Sequence, residues 1–142
     1  MDLPMLAAAT LLAGTAAYGA RVGAREEIAG EPFGWRLPGR VARHQAWGYG
    51  SGTMAPWPMP VAALAAAVRA GGGSEQPARV CLAIGSVCLI GTVVEPQTWG
   101  RRSTSRAATV ATALHLLSGT ALVLAGQRAT LASRRSRSVV RA

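Results

Sequence analysis

Four stretches of the chain carry no charged residue, and polar segments holding arginine separate them. They cover 3–20, 45–68, 80–94 and 107–127, or 18, 24, 15 and 21 residues. A helix of roughly 20 apolar residues crosses a bilayer. None of the four shows the strict alternation of a barrel strand. The pattern therefore predicts an all-α fold, a small transmembrane helical bundle. Four spans are preferred, at about 3–20, 55–69, 78–95 and 107–127, with three as the alternative, and an Arg-rich tail over 128–142 follows.

The runs differ in strength. Met1-Asp2 offers no basic lead-in to the first run, so it reads as a retained helix and not a cleaved signal. Its pattern can extend past Arg21 into the polar segment. The second run is the weakest, because Pro56, Pro58 and Pro60 spoil its first half as a regular helix. A helix starting among those prolines would end near Arg69, and an interfacial or re-entrant segment is the other reading. The third run rises only about 22 Å, so it needs residues on either side, with Arg79 reaching outward. The fourth is the clearest. Ser103 to Ser105 supplies cap oxygens, Gly126 can close the helix, and Arg128 suits its C-terminal dipole. The tail beyond has five Arg and no acid, which suits a mobile segment or one lying on headgroups.

Composition agrees. Half the residues are hydrophobic and 15% charged, against about 25% charged in soluble domains. All 15 basic residues are Arg, which with the Ala and Gly content suggests a GC-rich bacterial genome and hence a bacterial cytoplasmic membrane. A formal charge of +9 fits an anionic bilayer surface. Nucleic acid is disfavoured, because the arginines are not interleaved with aromatics along one helix or groove. Positive-inside counting leaves four-span orientation a tie, eight Arg against seven. Three spans would give twelve against three.

Glu-Pro-x-x-Trp followed by Arg occurs twice, at Glu31–Arg36 and Glu95–Arg101. Proline stops a helix, Trp anchors at the headgroup level and Arg meets phosphate. Each copy thus reads as a helix exit, and Trp35, Trp47, Trp57 and Trp99 are candidate interface anchors. The two carboxylates are left over, since each would face the negative end of a helix dipole. Arg36, Arg40, Arg101 and Arg102 are the candidates to compensate. Four spans would put both copies on one side, where Glu31, Glu95 and Arg101 could form a polar site.

His115 lies mid-run in the fourth stretch, and an ionisable residue at membrane depth is a functional candidate. The plainer reading is a neutral imidazole bonded to Thr112, Ser118, Ser86 or Thr92. Cys81 and Cys88, seven positions apart on one helix, would stand about 10 Å apart, too far for a mutual disulfide, and read as small buried hydrophobes. Gly19-x-x-x-Gly23 is a weak close-packing motif. No phosphate loop, dinucleotide fingerprint, metalloprotease or nucleophile-elbow motif occurs, so no cofactor, metal or catalytic residue is expected. The preferred function is a non-enzymatic bundle in the lipid bilayer that associates with itself or with a larger membrane complex. A transport or proton-relay element using Glu31, Glu95, Arg101 and His115 is the alternative. An enzyme acting on a lipid headgroup is the weaker one.

Overall fold

The computed structural model describes residues 1–36, 38–46, 53–71, 74–101 and 105–141. Among these, every regular element is a helix: α1 (Leu3–Arg25), α2 (Val41–Ala46), α3 (Pro58–Arg69), α4 (Gln76–Val93) and α5 (Arg106–Arg141), with 3-10 turns at Pro32–Gly34 and Pro96–Trp99. Three of them, α1, α4 and α5, are long and apolar enough to cross a membrane; α3 is apolar but shorter.

The helices pack in the ring order α1–α3–α4–α5, with α1 and α4 on one diagonal. Side-chain pairs fix their directions. Thr15 Oγ1 lies 2.9 Å from Ser118 Oγ, and Ser105 Oγ donates to Glu26 at 2.7 Å, so α5 runs antiparallel to α1. Gly85 faces Gly119 and Val123 while Gly126 faces Ala78 and Leu82, so α5 also runs antiparallel to α4. Hence α1 and α4 run the same way. One end of the bundle, the N-terminal end, gathers Met1, Gly71, Glu75 and Arg134. The other, the turn end, gathers the end of α1, both 3-10 turns and the start of α5.

The helix starts follow local chemistry. Asp2 Oδ1 accepts from the Met5 amide at 3.0 Å, capping α1. Ser105 does the same for α5, taking the Ala108 amide at 3.0 Å. The α3 start lacks a side-chain cap. Pro58 and Pro60, in its first turn, explain how it manages. Each has no N–H, so donors that a first turn would leave unsatisfied are missing from the start. The Met59 and Val61 amides donate to the carbonyls of Pro56 and Trp57.

The core is built of small residues. Met5, Ala8, Ala9, Leu12, Ala63, Ala66, Ala67, Ala78, Cys81 and Leu122 form one buried cluster. Both cysteines are free and buried, and Cys81 Sγ donates to the Ala63 carbonyl at 3.6 Å. Leu11, Val61, Val68, Val87, Ile90, Val110, Leu117 and Leu124 point outward, so the outer surface is apolar as well. That is the arrangement of a helix bundle immersed in hydrocarbon.

α3 begins at Pro58, among the prolines where its start was expected, and ends at Arg69 as expected. One boundary needs correction. The helix read as closing at Gly126 continues to Arg141. Glycine there is a contact residue: a Cβ at Gly126 would stand 2.9 Å from both the Ala78 carbonyl oxygen and the Leu82 nitrogen. The arginines beyond it lie on helix, and Arg134 comes within 4.0 Å of Glu75.

Candidate functional site

The two Glu-Pro turns meet. The Glu31 amide donates to both carboxylate oxygens of Glu95, at 3.1 and 2.9 Å, across 64 positions of sequence. The Phe33 amide donates to the Val94 carbonyl at 3.4 Å. Both glutamates are buried, 4% and 8% exposed. Arg36 Nε stands 3.7 Å from Glu31 Oε1, while Arg40 stands 3.9 Å from Glu27. Arg36 therefore answers the need for compensation at Glu31. At Glu95, the backbone amide of the other copy supplies part of it. Arg102, a further candidate, lies outside the described residues.

The copies are not equivalent, which corrects their reading as two helix exits. The second is one. It follows α4 directly, and its side chains satisfy carbonyls at the end of that helix: Thr98 Oγ1 donates to Thr92 O at 2.6 Å and Trp99 Nε1 to Val93 O at 2.7 Å. Gly100, at φ 66, closes the turn. The first copy begins six residues after α1 ends. Its place is set by docking onto the second copy. Phe33 adopts φ 56, ψ 21, a conformation in which a bulky side chain is strained.

An open crevice of about 510 Å³ lies between the turns, lined by Phe33, Gly34, Val93, Val94, Pro96, Trp99 and Arg101. Phe33 and Trp35 are more than 80% exposed. Among the described residues, Arg101 is the charged residue of the lining. Trp57 is half exposed beside the start of α3, and Trp47 lies outside the described residues.

His115 stands apart from this cluster, inside the bundle and 3% exposed. Its expected hydroxyl partners are engaged elsewhere. Ser118 donates to the His115 carbonyl, Thr112 to Ala108, Ser86 to Leu82 and Thr92 to Cys88, all at 2.8–3.0 Å. The ring Nδ1 is buried without a hydrogen-bond partner among the described residues. The reading of a satisfied imidazole thus fails at this atom. No group of three His, Cys, Asp or Glu side chains that could hold a metal occurs among the described residues.

Two buried contacts escaped sequence reasoning. Thr15 meets Ser118, and Thr53 Oγ1 donates to the Gly19 carbonyl at 2.7 Å. Only the Gly19-x-x-x-Gly23 spacing signalled the second.

Glu95→Ala removes the acceptor of a buried amide, and leaving such a donor unpaired costs about 1–3 kcal/mol. Glu95→Gln keeps one acceptor oxygen and should recover most of the loss. Unfolding midpoints in mild detergent check this, together with trypsin cleavage after Arg36 and Arg40, which should quicken in Ala and hardly in Gln.

No family model matches the chain, and no curated protein or solved structure matches it.

Proposed function

We propose that the chain is a four-pass integral membrane protein of a bacterial cytoplasmic membrane. It acts without catalysis, as a close-packed helical unit that associates with itself or with a larger membrane complex. Support for the fourth pass comes from parity. If α1 and α4 cross in the same direction, the chain between them must return. The twelve residues of α3 rise about 18 Å. Residues 53–57, which are not helical, add up to about 3.3–3.6 Å each. Together they can match a hydrocarbon core of about 30 Å. Non-helical backbone at that depth must be buried in protein or line an aqueous cavity. Thr53, Met54 and Ala55 are buried, with Thr53 bonded to α1.

The observation that carries the non-catalytic reading is the use of the carboxylates. The Glu95 carboxylate holds the Glu31 amide and so joins the turns, while the Glu31 carboxylate faces Arg36 within the first turn. The crevice beside them presents Arg101, Trp99 and apolar groups, which suits a lipid headgroup as ligand more than as reactant. A relay or transport role is the second reading, favoured by Nδ1 of His115 alone.

The test is association in native membranes. Short-span crosslinking followed by extraction in gentle detergent should recover a discrete oligomer or a defined complex. Recovery of the monomer alone, with and without crosslinker, would overturn the association reading.

A further inference from the structure

Buried polar side chains are distributed unevenly along the bundle. In the half near the N-terminal end, the interior is Met5, Ala8, Ala9, Leu12, Ala63, Ala66, Ala67, Cys81 and Leu122. Glu75 and Thr130 are polar but lie at the rim: Glu75 pairs with Arg79 at 2.7 Å, and Thr130 bonds the Gly126 carbonyl. In the other half, Thr15, His44, Thr53, Thr92, His115 and Ser118 are buried beside a smaller apolar cluster of Val22, Ala108 and Ala111, and Glu31 and Glu95 lie above them at the turns.

Of these, Thr53, Thr92 and His115 share a level. The pairs Thr15–Ser118 and Glu26–Ser105 set the register of α1 against α5. Counting along it places His115 level with Ala16 to Tyr18, next to Gly19. Gly19 is the residue on which Thr53 sits. On the opposite side, Gly119 packs between Gly85 and Leu89 of α4, so His115 comes level with about Thr92, roughly one helical turn below Glu95. The non-helical residues before α3 enter at this same level. Broken segments inside membranes occur where they are packed in protein or line water, and they frame polar sites at the join.

Nδ1 of His115 is unsatisfied in this layer. A buried ring nitrogen without a partner is costly, and one water molecule with two or more polar neighbours would relieve it. The Thr92 hydroxyl donates to the Cys88 carbonyl and can still accept from such a water.

We propose that the turn-end half of the bundle is a polar inlet through which water reaches His115 from one face of the membrane, and that the Ala- and Leu-filled half is closed to it. This rests on the four-pass reading. One-sided access is what distinguishes a proton- or cation-binding position from a merely buried histidine.

The test uses the full chain with Cys81→Ala and Cys88→Ala, in sealed membrane vesicles of both orientations. Ser74→Cys and Arg101→Cys mark the two faces. Single cysteines at His115, Ser118 and Leu122 are treated with a small, charged methanethiosulfonate, which attacks only thiolate in contact with water. His115→Cys and Ser118→Cys should react at least about tenfold faster from the face on which Arg101→Cys reacts. Leu122→Cys should be inert from both. Ser118→Cys changes only oxygen to sulfur, so it carries the test if the His115 variant does not accumulate. Inert thiols at 115 and 118, or equal reaction from both faces, would overturn the inlet alone. Reaction of Ser74→Cys and Arg101→Cys from the same face would overturn the four-pass reading beneath it.

Discussion

Gly19→Ala is expected to destabilise the protein more than any other single-methyl addition. The new Cβ would fall on the Thr53 carbonyl group, closer than any side-chain carbon is found to backbone oxygen, and 3.2 Å from Met54 Cβ. The obstacle is backbone, which cannot swing aside as a side-chain tip can. Thr53 is also held in place, because its hydroxyl donates to the Gly19 carbonyl at 2.7 Å. Relieving the clash means breaking that bond and lifting the segment that leads into α3. Overpacking costs about 1–3 kcal/mol, and a lost buried hydrogen bond adds about 1 kcal/mol. Gly14→Ala is the control. It lies on the same helix with open space at its Cβ position, and Ala for Gly in a helix interior gains about 0.5–1 kcal/mol. The two midpoints in detergent should therefore move in opposite directions. If both variants shift alike, the close approach of residue 53 to α1 is wrong.

The second large effect is expected at the α4–α5 seam. A Cβ at Gly85 would meet the Gly119 carbonyl oxygen at 2.9 Å and the Val123 nitrogen at 3.0 Å, and Gly126 is equally constrained by Ala78 and Leu82. Seven residues separate Gly119 from Gly126, so the glycines recur on one face and let two backbones touch. Leucine at position 85 cannot be housed without moving a helix. Gly85→Leu should cost about 3 kcal/mol or more, while Gly91→Leu, six residues further along the same helix and facing open space, should be tolerated. Comparing the pair separates the contact from helix propensity, because both exchanges carry the same propensity change. Comparable losses in the two variants would place the seam elsewhere.

What could be read in advance follows from which forces act locally. The long apolar helices were legible because crossing length and lack of charge are properties of consecutive residues. Ser105 was legible as a cap for the same reason. Gly126 was misjudged because glycine usually ends a helix, and its use here depends on a neighbour, Leu82, that sequence does not place beside it. The continuation of α5 through the tail was not foreseen, although Arg is itself a good helix former. The Glu-Pro repeat announced that something was shared, and four spans would have put both copies on one face. That the Glu31 amide would lie on the Glu95 carboxylate required the relative heights of two turns. His115 shows the reverse limit. Each hydroxyl offered as its partner donates instead to a carbonyl of its own helix, and Nδ1 is left without one among the described residues.

The shortness of α3 bears on how the protein is made. A dozen residues headed by prolines hold too little oil to leave the insertion machinery unaided. Its docking platform on α1 is synthesised first, and α4, its other neighbour, comes afterwards. On the four-pass reading proposed above, the nascent segment would therefore wait at the headgroups until the later helix emerges to cover its second face.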